Sequence, residues 1–416
     1  MHDDGLTTPV PAARVRFGTD YLGRLLDKVL LRTLDDALKR YGTGCLRLAL
    51  PSGEIAVLGR SGGTREAYVK LNRYRAIWRL MRGGSLGFPE SYMDGDIDVS
   101  NLNAVFDFYL ENEPAMTAAI PAFEATRIRD RVFHSSRRNT RDGSRRNIAA
   151  HYDLGNDFYR LWLDPSMLYS SAIFARDDAT LEVAQQEKLD RILAALDLAP
   201  YQTLLEIGCG WGALAEAAAR RGANVTAITI SQHQLEAARH RIDAANLTPH
   251  VDVRYEDYRD TTGTFDRLVS VEMIEAVGEE NWPVYFETIA KRLRPGGTAV
   301  IQAITIRADA FDRYRQNPDF IQRYIFPGGM LPTVELMHQR ADTAGLRFEI
   351  VECFGQSYAR TLREWRHRFE QAWPRIEALG FDERFRRMWL YYLAYCEVGF
   401  QRGMIDVGLY RLHKPA

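Results

Sequence analysis

In the run Glu206-Ile207-Gly208-Cys209-Gly210-Trp211-Gly212, one carboxylate precedes three glycines at alternate positions. Glycines lack the Cβ that would keep a ligand away from the backbone. A turn of this kind at the end of a buried parallel strand is where α/β sheets hold nucleotide-like cofactors. The preceding TLLEI (203–207) reads as that strand. Taken with Ala213, Gly208 and Gly210 also satisfy the loose dinucleotide pattern, so the turn alone admits either a dinucleotide or S-adenosylmethionine.

Two details separate these cofactors. A dinucleotide site wants an acid about 20 residues on, where it can bind the ribose hydroxyls. The chain has Thr229-Ile230-Ser231-Gln232 at that place, without an acid. Its acid, Glu206, is in the turn itself, where it could accept from the methionine ammonium of S-adenosylmethionine or fix the loop. A further pair, Glu256-Asp257, follows the third strand and is placed to take hydrogen bonds from adenine. A tight turn with no ligand explains poorly so many glycines at a strand end. The pattern points to a methyltransferase.

The elements that must position these residues follow by alternation. Strands are expected at 203–207, 224–230, 251–255, 266–273 and 298–306, with helices ALAEAAARR, QHQLEAARHRIDAAN and WPVYFETIAKRL between them. Strands alternating with helices at this spacing give a parallel sheet covered on both faces, an α/β, doubly wound, Rossmann-like class I methyltransferase domain over 147–416. Residues 1–112 read as a small α+β module. They hold a leucine-rich helix at 18–40, a hairpin in CLRLALPSGEIAVLG, and short helices in YRAIWRLMRGG and LNAVFDFYLEN. Between them, 113–146 reads as a basic linker, with eight arginines from Arg127 to Arg146 against Asp130 and Asp142. That stretch suits either a solvated connector or a contact for anionic lipid headgroups.

Composition narrows the class. A net charge of −1 argues against nucleic-acid binding by the chain as a whole. Cys45, Cys209, Cys353 and Cys396 show neither disulfide nor zinc spacing, which suits a reducing cytoplasm without a metal site. The polar, acidic start MHDDGLTTPVPAA is not a signal peptide, and no run of 18 or more apolar residues could span a bilayer. Were such a chain to act on lipid, it would have to do so from the surface.

The words HYDLGNDFYRLWLDPSMLYSSA (151–172), LLEIGCGWGALA (204–215), ITISQHQ (228–234), SVEMIEAVG (270–278), RYIFPGGMLP (323–332) and YYLAYCEVGF (391–400) occur in one order along the chain. In this it resembles the cyclopropane-fatty-acyl-phospholipid synthases and their relatives, the mycolic acid cyclopropane synthases. The N-terminal module is similar to the accessory domain of the bacterial phospholipid enzymes. The resemblance implies methylation of unsaturated acyl chains of membrane phospholipids by a peripheral protein on the inner membrane face, with a homodimer left open. It implies that Tyr169 and Ser170 line the cofactor, that Gly208 and Gly210 approach its methionine end beside Glu206 and Trp211, and that Thr229 and Gln234 contact the ribose side. Glu256 or Asp257 would face adenine.

In that family a bicarbonate ion serves as base, held by a glutamate, a histidine, a tyrosine and backbone amides. Glu275 matches the glutamate, Tyr392 the tyrosine, and Ser171 and Ile304 the amide donors. The histidine is replaced by Gln302, and a second histidine by Ala276. Cys396 matches a cysteine often assigned to the active site, yet no His or Lys stands beside it to lower its pKa, and a buried small hydrophobe fits it equally. Methylating an alkene leaves a carbocation, so aromatic walls are expected from Tyr152, Phe158, Tyr159, Trp162, Tyr169, Phe174, Tyr324, Phe326, Trp389, Tyr391 and Tyr392. Helices within 307–400 would cover the acyl site. The resemblance implies a cyclopropane product. The lost histidines leave a methyl- or methylene-branched product as the alternative.

Overall fold

The computed structural model describes residues 44–59, 66–119 and 154–416 throughout, with single residues between 28 and 39 and between 137 and 147. The chain divides into two compact units, Met1–Gly83 with Glu90–Glu124 and Gly84–Pro89 with Ala125–Ala416.

The first unit carries a four-stranded sheet in the order β2-β1-β3-β4. Strands β1 (Cys45–Ala49) and β2 (Ile55–Gly59) form the expected antiparallel hairpin. Strands β3 (Glu66–Leu71) and β4 (Ile97–Val99), which the sequence pattern did not signal, extend it on the other side. Helix α1 (Arg75–Arg82) is anchored by a fully buried Asp96, whose oxygens accept from Arg75 Nε at 2.7 Å and Arg79 Nη1 at 3.3 Å. Helix α2 (Leu102–Ala119) runs past the expected boundary at 112. Most of the leucine-rich 18–40 segment lies outside the described residues.

The second unit is built on a seven-stranded sheet in the order β10-β11-β9-β8-β5-β6-β7. Strands β5 (Thr203–Ile207), β6 (Asn224–Thr229), β7 (Val251–Tyr255), β8 (Phe265–Val271) and β9 (Leu293–Ile306) run parallel. Their apolar runs are buried on both faces, as in Leu204, Leu205 and Ile207, each at most 2 % exposed. The sheet is not wholly parallel, however. Strands β10 (Arg347–Cys353) and β11 (Ile405–His413) are added antiparallel beyond β9.

The helices are α3 (Asn156–Arg160), α4 (Leu181–Ala195), α5 (Ala213–Arg220), α6 (Gln232–Ala244), α7 (Trp282–Arg292), α8 (Ala308–Gln316), α9 (Val334–Thr343), α10 (Gly355–Glu377) and α11 (Glu383–Gln401). Thr180 and Ser231 cap α4 and α6 by accepting from the backbone of Val183 and Gln234. Order reverses at β5: β6 and β7 follow on one side, β8 and β9 on the other. The carboxyl ends of β5 and β8 therefore flank the topological switch, where open α/β sheets bind ligands.

Part of the stretch read as a linker belongs to this second unit. Asn139 and Asn147 are buried, with Asn139 Nδ2 donating to Gly328 O at 2.8 Å and Asn147 Nδ2 to Asn139 Oδ1 at 2.9 Å. Arg141 pairs with Asp260 at 2.7 Å. Arg127, Arg129, Arg131, Arg138 and Arg145 lie outside the described residues.

Gly212 starts α5 at φ +84°, and a Cβ there would stand 3.0 Å from Ala238 Cβ. Gly263, at φ +80°, faces open space. Gly212→Ala is expected to destabilise by roughly 1–3 kcal/mol more than Gly263→Ala in urea unfolding, the excess being the collision with α6.

Candidate active site

The end of β5 carries the Glu206–Gly212 turn. Gly208 sits at φ +82°, and a side chain there would press on Met273 Cγ at 3.1 Å, so the two strand ends meet at this glycine. Glu206 is 3 % exposed, and its Oε2 is unpartnered. Burial pushes its carboxyl up to about 8. A buried carboxylate oxygen awaiting a donor beside a Cβ-free turn fits the ammonium end of a ligand. Trp211 is pinned by its indole N–H donating to Asn156 Oδ1 at 2.8 Å. At the end of β6, Thr229 Oγ1 donates to Gln234 Oε1 at 2.9 Å, joining the two residues expected on the ribose side. Of the acidic pair, Asp257 is already committed: its two oxygens accept from Arg259 at 2.8 and 2.7 Å. Glu256 Oε2 lies 3.8 Å from Arg254.

The end of β8 carries a second carboxylate that sequence reasoning passed over. Glu272 holds a positive φ of +47°, rare for a non-glycine and costly in backbone energy. Its Oε1 accepts from Ser171 N at 2.8 Å and from Gln302 Nε2 at 2.7 Å, and its Oε2 from the Tyr358 hydroxyl at 2.7 Å. Glu275, three residues on, accepts from Ile304 N at 2.6 Å through Oε1, while Oε2 is unpartnered. Thus Ser171, Gln302 and Ile304, the donors expected to hold a free anion, all face carboxylates of the chain itself.

Burial raises both acids. Glu275 is pushed up to about 8, first by burial and then by the charge of Glu272. Glu272 is also raised by burial, against the pull of Tyr358, Ser171, Lys188 and Gln302. Two buried carboxyls this close share their titration, and the better-supplied one keeps the charge. Glu272 accepts from three other residues and Glu275 from Ile304 alone, an arrangement that favours the charge on Glu272.

Besides Tyr358, which bonds Glu272, a connected set of aromatic rings lies in this unit. Tyr169 and Tyr392 bond hydroxyl to hydroxyl at 2.9 Å. Ring contacts join Phe158, Tyr159, Trp162, Tyr169 and Trp389, with centroids 5.1–6.1 Å apart, and Phe326 reaches Tyr392 at 6.2 Å. Trp365, on α10, completes this wall against Tyr169 at 5.2 Å. Tyr324 and Tyr391 belong instead to a cluster around Phe320, and Phe174 packs under Arg360. Tyr152 lies outside the described residues. Burial pushes the Cys396 thiol well above its ordinary range, which favours its protonated form.

The sequence model of the family described as Mycolic acid cyclopropane synthetase matches residues 139–409. A tuberculostearic acid methyltransferase, UfaA1, of Mycobacterium tuberculosis is 40% identical over 338 residues, covering 79% of each chain. The cyclopropane-fatty-acyl-phospholipid synthase of Escherichia coli K12 is 36% identical over 356 residues, covering 83% of this chain and 88% of that one. Among solved structures, the mycolic acid cyclopropane synthase CmaA1 complexed with SAH and CTAB superposes with a TM-score of 0.61 at 32% identity, over 65% of this chain and 98% of that one.

Glu275→Ala, which removes the acceptor of Ile304 N beside Glu272, is expected to slow methyl transfer while S-adenosylhomocysteine still binds in a calorimetric titration. Stability gives a separate readout. A carboxyl raised to about 8 binds its proton more tightly folded than unfolded, so it destabilises the fold progressively as pH climbs from the ordinary carboxyl range toward 8. Glu275→Gln should therefore raise the melting temperature, by more at pH 8 than at pH 5.

Proposed function

Because the chain belongs to the mycolic acid cyclopropane synthetase family and is an S-adenosylmethionine-dependent methyltransferase acting on fatty acyl chains, we propose that it methylates the double bond of unsaturated phospholipid acyl chains with Glu272 as the base. One observation carries this reading: Glu272 takes the hydrogen bonds of Ser171 N and Gln302 Nε2, at 2.8 and 2.7 Å. These are donors that the family resemblance assigns to bicarbonate. A tethered carboxylate there replaces a diffusible one.

Bound S-adenosylmethionine supplies an electrophilic methyl group as co-substrate. The chain's task is to keep water out and to take up one proton. The buried rings of Trp162, Trp365 and Trp389 give a wall that stabilises positive charge by roughly 0.5–2 kcal/mol per ring without offering a nucleophile. Glu275, protonated, adds no second negative charge beside Glu272. The methylated acyl chain carries a cation on the carbon next to the new branch, and Glu272 accepts the proton that discharges it. Loss from a neighbouring chain carbon gives a methyl-branched alkene. A hydride shift followed by loss from the new methyl gives a methylene branch, and direct loss with C–C closure gives a cyclopropane. In each case the chain gains one CH2 and no electrons.

The branched alkene is the product this reading favours. The base differs from the diffusible ion of the ring-forming enzymes, and the relative named for tuberculostearic acid, a methyl-branched acid, aligns at 40% identity. A saturated branch would need a hydride from a separate reductant. The ring remains the second reading, on the 36% identity to the cyclopropane synthase. A phospholipid acceptor requires work at a membrane surface, so peripheral action at the inner membrane face is part of this proposal; among the described residues no helix is long and apolar enough to cross a membrane.

Labelled methyl transfer to vesicles of monounsaturated phospholipid tests both parts. The product should take up hydrogen under conditions that saturate alkenes, whereas a resistant product is the ring. Bicarbonate-free buffer should leave the rate unchanged, and Glu272→Gln should lower kcat by about 100-fold or more. Activity that stops without bicarbonate overturns the assignment of the base.

A further inference from the structure

Lys188 occupies a core position on α4. It is 0 % exposed among Leu181, Ala184, Leu189 and Ile192, and it is the one Lys or Arg so buried among the described residues. An ammonium is costly to desolvate, so a buried one needs partners. Its Nζ donates to Ser170 Oγ at 2.6 Å. One turn earlier on the same face, Gln185 Nε2 donates to Ser170 O at 3.1 Å and Leu168 O at 3.4 Å. Helix α4 thereby grips the Leu168–Ser171 segment from behind. From that segment Ser171 N reaches Glu272, and the Tyr169 hydroxyl reaches Tyr392.

Two charged groups face Lys188 from other elements: Glu272 after β8 and Asp164 after α3. Glu272 in turn faces Glu275, Tyr358 and Gln302. Burial draws the Lys188 ammonium down to about 8, opposed by Glu272 and Asp164, so it still carries its charge at neutral pH. Lys188, Glu272 and Glu275 thus form a buried group whose charges bear on one another.

We propose that Lys188 is the positioning residue of this site, anchoring the Leu168–Ser171 segment through Ser170 and supplying the positive charge that keeps Glu272 ionised. This rests on Glu272 being the base. A nearby cation favours the charged form of a carboxyl. Without it, Glu272 holds its proton to higher pH, and the acid limb of the kcat profile moves up.

The test compares wild type, Lys188→Met, Lys188→Gln and Glu272→Gln in vesicle assays between about pH 6 and 9. Lys188→Met should lower kcat on the order of tenfold at neutral pH, with the deficit narrowing as pH rises, since one pKa unit is tenfold in base fraction. The KM for S-adenosylmethionine should change by less than about threefold. Lys188→Gln can keep the bond to Ser170 but loses the charge, and should show the same displaced limb; it also serves if the methionine variant fails to fold. An unmoved limb in the variant that folds, or an effect confined to the S-adenosylmethionine KM, overturns the proposal. Full activity in Glu272→Gln instead removes the base reading itself, whatever Lys188 does.

Discussion

A carboxylate has been taken out of water and re-solvated by fixed protein donors, and the rest of the second unit is arranged to permit it. Desolvating the Glu272 charge costs several kcal/mol on its own, and three short hydrogen bonds from three different elements repay it only while all three are in place. The backbone at Glu272, at φ +47°, adds a local strain to that cost. Ser171 precedes α4, Gln302 lies within β9 and Tyr358 within α10, so displacement of any one element loosens the same anion.

The sheet explains why these groups can meet. The reversal at β5 opens a crevice whose two lips are the ends of β5 and β8. One lip carries Glu206 and the glycine turn, and the other carries Glu272 and Glu275. The contact that Gly208 leaves room for, against Met273, brings the lips together. One acid would then serve the methyl donor and the other two the acceptor, all buried and within one switch point, without mixing their roles.

Much of this was legible in the residues. Apolar runs alternating with helical segments marked β5 through β9, with a glycine turn at the end of β5, and the missing acid after β6 separated the cofactors. Strands β10 and β11 escaped because β10 is an edge strand with no buried residue and β11 follows a long helix without a turn-bounded apolar run. Glu272 escaped for a different reason. Its partners lie 101, 86 and 30 residues away, and no local spacing reports such contacts. The signal available was a second carboxylate three residues before Glu275 in the same quoted word. Lys188 gave one as well, a charged residue where the helical period of α4 demands an apolar one.

The strand order has a consequence for synthesis. Strand β10 pairs with β11 alone, and β11 also flanks β9 in register with Gln302, opposite Leu409. When the ribosome has made α10 and α11, β10 still has no hydrogen-bonded neighbour, and β9 offers an open edge beside the very amide that holds the base. Until the segment after residue 404 threads between them, the nascent molecule presents two unsatisfied strand edges, the kind of surface that pairs promiscuously with other chains. The segment after residue 404 thus closes both edges at once, pairing with β9 on one side and β10 on the other.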